Sequence, residues 1–157
     1  MRRQLVAAAF ALMVAGVFAA AGSSAGRAYA ASRPHNAAQV IRAAKSGDVR
    51  AQVRLAWMYA NGYGVPQHYH LAATWYLRAA ERGHGGAQFQ LGLLYNKGQG
   101  VPQDLVQSYM WLNLSALQAA GDDRDFKVRV RDGVASKMTI NQIELAQQMA
   151  RGRYGSR

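Results

Sequence analysis

From about residue 37 onward, apolar residues recur every four positions, which is the spacing of one face of an α-helix. Two such stripes are Ala51-Leu55-Tyr59 and Leu71-Trp75-Ala79. A glycine follows each stripe closely, where a helix needs a residue that tolerates a left-handed conformation. The pattern therefore predicts an all-α chain of short helices joined by turns.

The helix–loop–helix pattern occurs twice, 36 residues apart. The loop Gly62–Gln67 reads GYGVPQ, and Gly98–Gln103 reads GQGVPQ. The flanking residues repeat as the pairs Ala51/Ala87, Leu55/Leu91, Tyr59/Tyr95, Trp75/Trp111 and Ala80/Ala116. Self-similarity at this period indicates a solenoid of stacked units. We predict two full repeats, about residues 50–85 and 86–121.

The two loops have the composition of hinges between paired helices. A glycine ends the first helix of each pair, and a proline fixes φ just before the second begins. In the second repeat, Asp104 and Gln107 predict a capping box. His68 stands in the place of Asp104 in the first repeat and is a weaker cap, so we expect that helix to fray or to begin later.

Both ends of the array depart from the repeat. Residues 36–46 match the second helix of a repeat and predict an N-terminal half repeat. Three acids at 122, 123 and 125 suit the start of a helix, which continues with the stripe Phe126-Val130-Val134-Met138. Thr139 and Gln142 predict a capping box for a last helix ending near Ala150. We interpret residues 122–150 as a capping helix pair and residues 151–157 as a basic tail without pattern.

Residues 1–30 have the features of a signal peptide. Arg2 and Arg3 precede the apolar run Leu5–Ala21, and Ala28-Tyr29-Ala30 supplies the small residues that a signal peptidase reads. The sequence therefore predicts export to the periplasm or beyond, with cleavage after Ala30. An uncleaved membrane anchor is the alternative, although the apolar run is short for a membrane span.

The chain is basic and has no cysteine, so packing and not disulfide bonds must hold it together. Its formal charge is +11, or +8 without the three arginines of the leader. An excess of this size favours anionic partners. For an exported protein we expect weak contact with anionic murein or lipid, or with an acidic protein surface, and no nucleic acid. A basic surface with no dedicated ligand is the alternative.

The repeated unit resembles the Sel-one-like repeat, a relative of the tetratricopeptide repeat. The matching residues of the first copy are Ala51, Leu55, Tyr59, Gly62, Gly64, Val65, Pro66, Trp75, Ala79, Ala80 and Gly83. Those of the second are Ala87, Leu91, Gly92, Tyr95, Gly98, Gly100, Val101, Pro102, Asp104, Trp111 and Ala116. The resemblance covers residues 43–120 and implies an α/α solenoid of antiparallel helix pairs, a tetratricopeptide-like superhelix.

The resemblance also implies an adaptor or scaffold, often at the bacterial cell envelope. Our leading hypothesis is a non-enzymatic, exported protein that binds an envelope protein or peptide. An enzyme acting on cell-wall or β-lactam substrates is the first alternative. However, members linked to β-lactams carry a cysteine pair in each repeat, and this chain has none. A structural protein associated with peptidoglycan is the second alternative.

The residues predicted to bind this partner lie off the apolar stripe on the first helix of each repeat. Trp57 and Leu93 share one register position there, and an aromatic anchor flanked by arginine is typical of binding hot spots. The predicted groove residues are Arg54, Trp57, Asn61, Gln90, Leu93 and Lys97. Packing of Trp57 and Leu93 against the neighbouring repeat is the alternative.

No catalytic, metal or cofactor site is predicted. Ser108, Ser115 and Ser136 have no histidine or acid at a catalytic spacing. His68 and His70 are two residues apart and would not share a helix face. Trp75 and Trp111 occupy matched positions and are expected in the core.

Overall fold

The computed structural model describes residues 37–155, with side chains through Arg153. This part of the chain forms seven helices and contains no β-strand. The first, α1, covers residues 37–45. The others are α2 (Val49–Asn61), α3 (Tyr69–Glu81), α4 (Gly85–Lys97), α5 (Leu105–Leu117), α6 (Gly121–Ala135) and α7 (Ile140–Gly155). The all-α prediction is confirmed, and residues from Gln39 onward form one compact unit.

The helices from α2 to α5 pack each against the next, as expected for stacked helix pairs. The side chains of the repeated stripes lie inside: Leu55 and Leu91 are each 1 % exposed. Burying a leucine side chain contributes about 1.5–3 kcal/mol. Trp75 and Trp111 are both buried, so the prediction that they belong to the core is confirmed.

The two GxGVPQ loops share one conformation. Gly62 and Gly98 end α2 and α4 in the left-handed region, with φ of 68° and 66°. The glutamine that closes each loop turns back to the helix before it. Gln67 Nε2 donates to the Ala60 carbonyl at 2.8 Å, and Gln103 Nε2 donates to the Asn96 carbonyl at 2.7 Å. The same side-chain hydrogen bond therefore ties each loop to the helix that precedes it.

The N-cap predictions are partly right. Asp104 Oδ1 accepts from the Gln107 amide at 2.9 Å, as a cap should. The second bond of a capping box, from the Asp104 amide to the Gln107 side chain, does not form. The Asp104 amide donates to the Tyr95 carbonyl instead. The expectation that α3 frays or begins late is wrong. His68 Nδ1 accepts from the Leu71 amide at 3.3 Å, so α3 begins at the position equivalent to the start of α5.

A buried glutamine joins each repeat to the helix before it. Gln88 is fully buried, and its Nε2 donates to the Ala80 carbonyl at 3.2 Å. Gln52 does the same to the Ala44 carbonyl at 3.3 Å. Each glutamine adds a second donor to a carbonyl near the end of a helix, which already accepts from the backbone amide three residues on, Gly83 for Ala80 and Gly47 for Ala44. The matching bond to α1 supports the interpretation of α1 as half of a repeat.

The two helices beyond the repeats pack mainly against α5 and far less against each other. The capping box of α7 forms as predicted: the Thr139 amide donates to Gln142 Oε1 at 2.8 Å, and the Gln142 amide donates to Thr139 Oγ1 at 3.3 Å. On α6, Val134 is buried but Phe126 is 48 % exposed, so the apolar stripe is only partly covered.

The segment predicted as a patternless tail is helical to Gly155, which corrects that expectation. The extra turn has a packing role, because the Arg153 guanidinium lies 4.7 Å from the centre of the Trp111 ring. In the first repeat, Arg78 covers Trp75 in the same way at 4.6 Å. Leu114 replaces that arginine in the second repeat, and α7 supplies the cation instead.

The predicted signal peptide lies outside the described residues. Within the part of the chain that the structure describes, no helix has the length and apolar character needed to cross a bilayer.

A candidate groove on the helical stack

The six predicted groove residues lie together along two adjoining pockets. The first, of about 380 Å³, is lined in part by Arg54, Trp57 and Gln90. The second, of about 280 Å³, is lined by Trp57, Asn61, Gln90, Leu93 and Lys97, among others. Trp57 and Gln90 belong to both pockets, so α2 and α4 form the walls of one continuous groove. Whether these residues bind a partner stays a prediction.

Trp57 is the most exposed aromatic side chain on the repeats, at 46 %. Its ring contacts that of Tyr63, with 5.5 Å between centroids and an angle of 57°. The Asn61 amide group donates to the Trp57 carbonyl at 2.8 Å. Of these two contacts, only that with the Tyr63 ring involves the indole directly, and it leaves nearly half of Trp57 accessible, so Trp57 is not packed away against the neighbouring repeat.

Tyr76 forms the floor of the groove and was not among the predicted residues. It lies on α3, is 3 % exposed, and lines both pockets. None of the described residues hydrogen-bonds its hydroxyl group. Its phenol is neutral and able to donate at physiological pH, and desolvation by burial raises its pKa further, from 10.0 to about 12.

One signal in the sequence could have revealed Tyr76. It follows the repeated Trp75, but its counterpart one period later is Leu112, so Tyr76 does not belong to the common framework. An aromatic residue present in one copy only is a better candidate for a site than one present in both. It lies on the second helix of its repeat, whereas all six predicted groove residues lie on first helices.

The rim of the groove is cationic. Arg50 and Arg54 lie at one pocket and Lys97 at the other, and no aspartate or glutamate lines either. A surface with an apolar, aromatic centre and cationic ends is complementary to a segment that combines apolar and acidic side chains.

The other polar candidates have structural roles. Ser108 Oγ donates to the Gly92 carbonyl at 2.8 Å, and Ser115 Oγ donates to the Gly85 carbonyl at 2.7 Å. His68 caps α3, and His70 Nδ1 lies 3.1 Å from the Gly100 carbonyl oxygen. Among residues 37–155, no three potential metal-ligating side chains converge.

Comparison with known proteins identifies the repeat. The Sel1 repeat family model matches residues 49–84 and 86–119. The fold is similar to that of c5321, a protective antigen of uropathogenic Escherichia coli with an SLR fold, at 31 % identity and a TM-score of 0.69. That match covers 74 % of this chain but spans only 24 % of c5321. No curated protein matches the sequence.

A second solved structure supports the assignment over a larger part of its own length. It is a Sel1 repeat protein from Oxalobacter formigenes, which is 39 % identical, with a TM-score of 0.53. The match covers 57 % of this chain and 67 % of that one. Sel1 repeats generally mediate protein–protein interactions. The chain belongs to the Sel1 repeat family.

Proposed function

We propose that this protein is a non-enzymatic, exported scaffold that binds a protein or peptide partner in the cell envelope through the groove between α2 and α4. The observation that carries the proposal is the accessible indole of Trp57 above the buried phenol of Tyr76. Tryptophan and tyrosine in a concave, partly desolvated setting are typical anchors of binding energy. The phenol offers a donor that no described residue uses.

The charges around these anchors indicate the chemistry of the partner. Arg50, Arg54 and Lys97 line the groove without an acid among its lining residues. Such charge steers association and selects partners more than it adds affinity. We therefore expect a partner segment with an apolar residue for the Trp57 pocket and acidic residues on its flanks.

Crosslinking in the native host tests the groove. A photoreactive residue replaces Gln90 in the groove or, as the control position, the exposed Gln148 of α7. We expect one discrete adduct from position 90 only, identified by mass spectrometry. The same background from both positions would contradict binding in this groove.

The captured partner is then titrated against two matched variants. Trp57→Ala should weaken binding about thirtyfold, because a hot-spot side chain contributes about 2 kcal/mol or more. Phe126→Ala removes an equally exposed aromatic side chain outside the groove and should leave affinity unchanged. Circular dichroism of both variants separates loss of binding from loss of fold. Equal affinities of the two folded variants would exclude Trp57 as the anchor.

Export is tested independently of binding. N-terminal sequencing of the protein from fractionated cells should give Ala31 as the first residue, in the periplasmic or secreted fraction. A protein that retains Arg2 and Arg3 in the membrane fraction would contradict cleavage and favour the membrane anchor.

The structural alternative, association with peptidoglycan, is favoured only by the basic charge of the chain. Sedimentation with purified murein sacculi that is reversed by salt would support it. If Trp57→Ala sediments like the unmodified chain, that contact is separate from the groove.

A further inference from the structure

A second cleft lies at the C-terminal end of the stack, away from the Trp57 groove. Both α6 and α7 pack on α5, and residues of all three helices line the cleft. The cleft has a volume of about 450 Å³, within the range of small-ligand pockets. None of the six predicted groove residues lines it.

Hydrogen-bond donors from the three helices converge in this cleft. Tyr109 of α5 is 5 % exposed, and its hydroxyl accepts from Gln147 Nε2 of α7 at 3.3 Å. That arrangement leaves the hydroxyl proton of Tyr109 free for another acceptor. Asn113 Oδ1 accepts from Arg131 Nη1 of α6 at 2.9 Å, which turns the amide NH₂ of Asn113 toward other partners.

The cleft carries a positive charge that the described residues do not neutralise. Arg131 is paired with its neighbour Asp132 at 2.7 Å. Arg151 also lines the cleft, and among the described residues it has no hydrogen-bond or ion-pair partner. No aspartate or glutamate lines the cleft. A site with several donors, one unpaired guanidinium and no carboxylate of its own suits an anionic acceptor.

The remaining lining residues are apolar. Leu117, which is 53 % exposed, and Ala150 lie beside the donors. We propose that this cleft binds a carboxylate that carries an apolar group. The carboxylate pairs with Arg151 and accepts from Tyr109, and the apolar group covers Leu117. The carboxyl-terminal residue of a peptide and a short aliphatic acid both have this chemistry.

Calorimetric titration of the full chain with N-acetyl-L-leucine and its primary amide tests the charge requirement. We expect saturable one-site binding of the acid and at least about tenfold weaker binding of the amide, because the amide loses the charge-assisted bonds. Hexanoate distinguishes the two sources. Binding equal to that of N-acetyl-L-leucine indicates a free aliphatic acid, and weaker binding indicates a peptide terminus.

Variants locate the site. Arg151→Gln, at an exposed position, should weaken acid binding about tenfold, and Tyr109→Phe should weaken it about fivefold. Arg129→Gln removes an exposed arginine of α6 that does not line the cleft and should have no effect. Trp57→Ala should also have no effect, so this proposal can fail or succeed independently of the groove. Equal binding of acid and amide, unchanged binding in Arg151→Gln, or no saturation up to about 10 mM would overturn it.

Discussion

Gly100 in the second loop lies against the backbone of Tyr69, at the start of α3 in the first repeat. A β carbon at position 100 would lie 2.2 Å from the carbonyl carbon of Tyr69. The Gly100 carbonyl oxygen also lies 3.1 Å from His70 Nδ1. Gly100 therefore has two roles. It allows the turn within its own repeat, and it allows close contact with the repeat before it.

Gly100→Ala should therefore destabilise the protein strongly. The left-handed φ of 73° costs an alanine roughly 1–2 kcal/mol, and the backbone clash adds roughly 1–3 kcal/mol. Gly121→Ala is the matched control, because φ there is 54° but nothing lies within 4 Å of the added carbon. Urea unfolding followed by circular dichroism should show the larger loss for Gly100→Ala. Equal losses would mean that the contact between repeats adds nothing.

Gln88→Ala should cost more than Gln52→Ala. Both lose a bond to a helix-end carbonyl, but Gln88 Oε1 also accepts from Gln118 Nε2 at 2.7 Å. Gln52 Oε1 is buried without a partner, so its removal relieves an unsatisfied acceptor. We expect a difference in the free energy of unfolding of at least about 1 kcal/mol. A larger loss for Gln52→Ala would contradict this assignment.

Tyr76 should make the protein sensitive to alkali. Its pKa is raised from 10.0 to about 12 in the folded state, so the unfolded chain loses this proton first. The contribution of the neutral Tyr76 phenol to the free energy of unfolding is fully present below pH 10 and is lost as the pH rises to about 12. Its size is about 2–3 kcal/mol. Tyr76→Phe should lose less stability than the unmodified chain between pH 10 and about 12, measured by urea unfolding.

Tyr95→Phe is the control for that measurement, since Tyr95 is only half-buried. If both phenylalanine variants lose stability with pH like the unmodified chain, the phenol of Tyr76 is solvated and is not the floor of a desolvated groove.

His68→Asp should stabilise the first repeat. His68 Nδ1 caps α3 with a bond of 3.3 Å, whereas Asp104 caps α5 at 2.9 Å and adds a negative charge at the positive end of the helix. We expect a gain of about 0.5–1 kcal/mol in the free energy of unfolding. His68→Ala should instead lose stability. A neutral result for both would show that His68 contributes nothing as a cap.

Much of the fold follows from local sequence. The positions of Gly62 and Gly98 predict where α2 and α4 end, because only glycine adopts the left-handed cap at low cost. The four-residue spacing of Leu55 with its neighbours predicts the buried face. Thr139 and Gln142 predict the start of α7, since the bonds of a capping box join residues only three apart.

The sequence was less informative where a residue acts across helices. The weak cap at His68 led to an expectation of late helix formation, but α3 begins in register because the His68 amide donates to the Tyr59 carbonyl of α2. Past Ala150, α7 continues with Arg153 packed over Trp111 of α5, a contact that no local pattern encodes. Propensity is a weak prior that such contacts override.

The candidate groove shows the same division. Trp57 and Leu93 could be placed together because they share a register position in two copies. Tyr76 could not be placed in the groove from the sequence, because its position at the floor depends on how α3 lies beneath α2 and α4. The cleft around Arg131 and Arg151 had no counterpart in the repeat pattern at all.

The sequence by itself determined the repeat, the helices and the GxGVP turns that join them, because periodicity and caps act over a few residues. Tertiary structure alone decided which side chains share a concave surface and that Gly100 meets the backbone of the preceding repeat. The contact of Gly100 with Tyr69 was visible only in the stack, because stacking joins residues about thirty positions apart whose meeting no local pattern encodes.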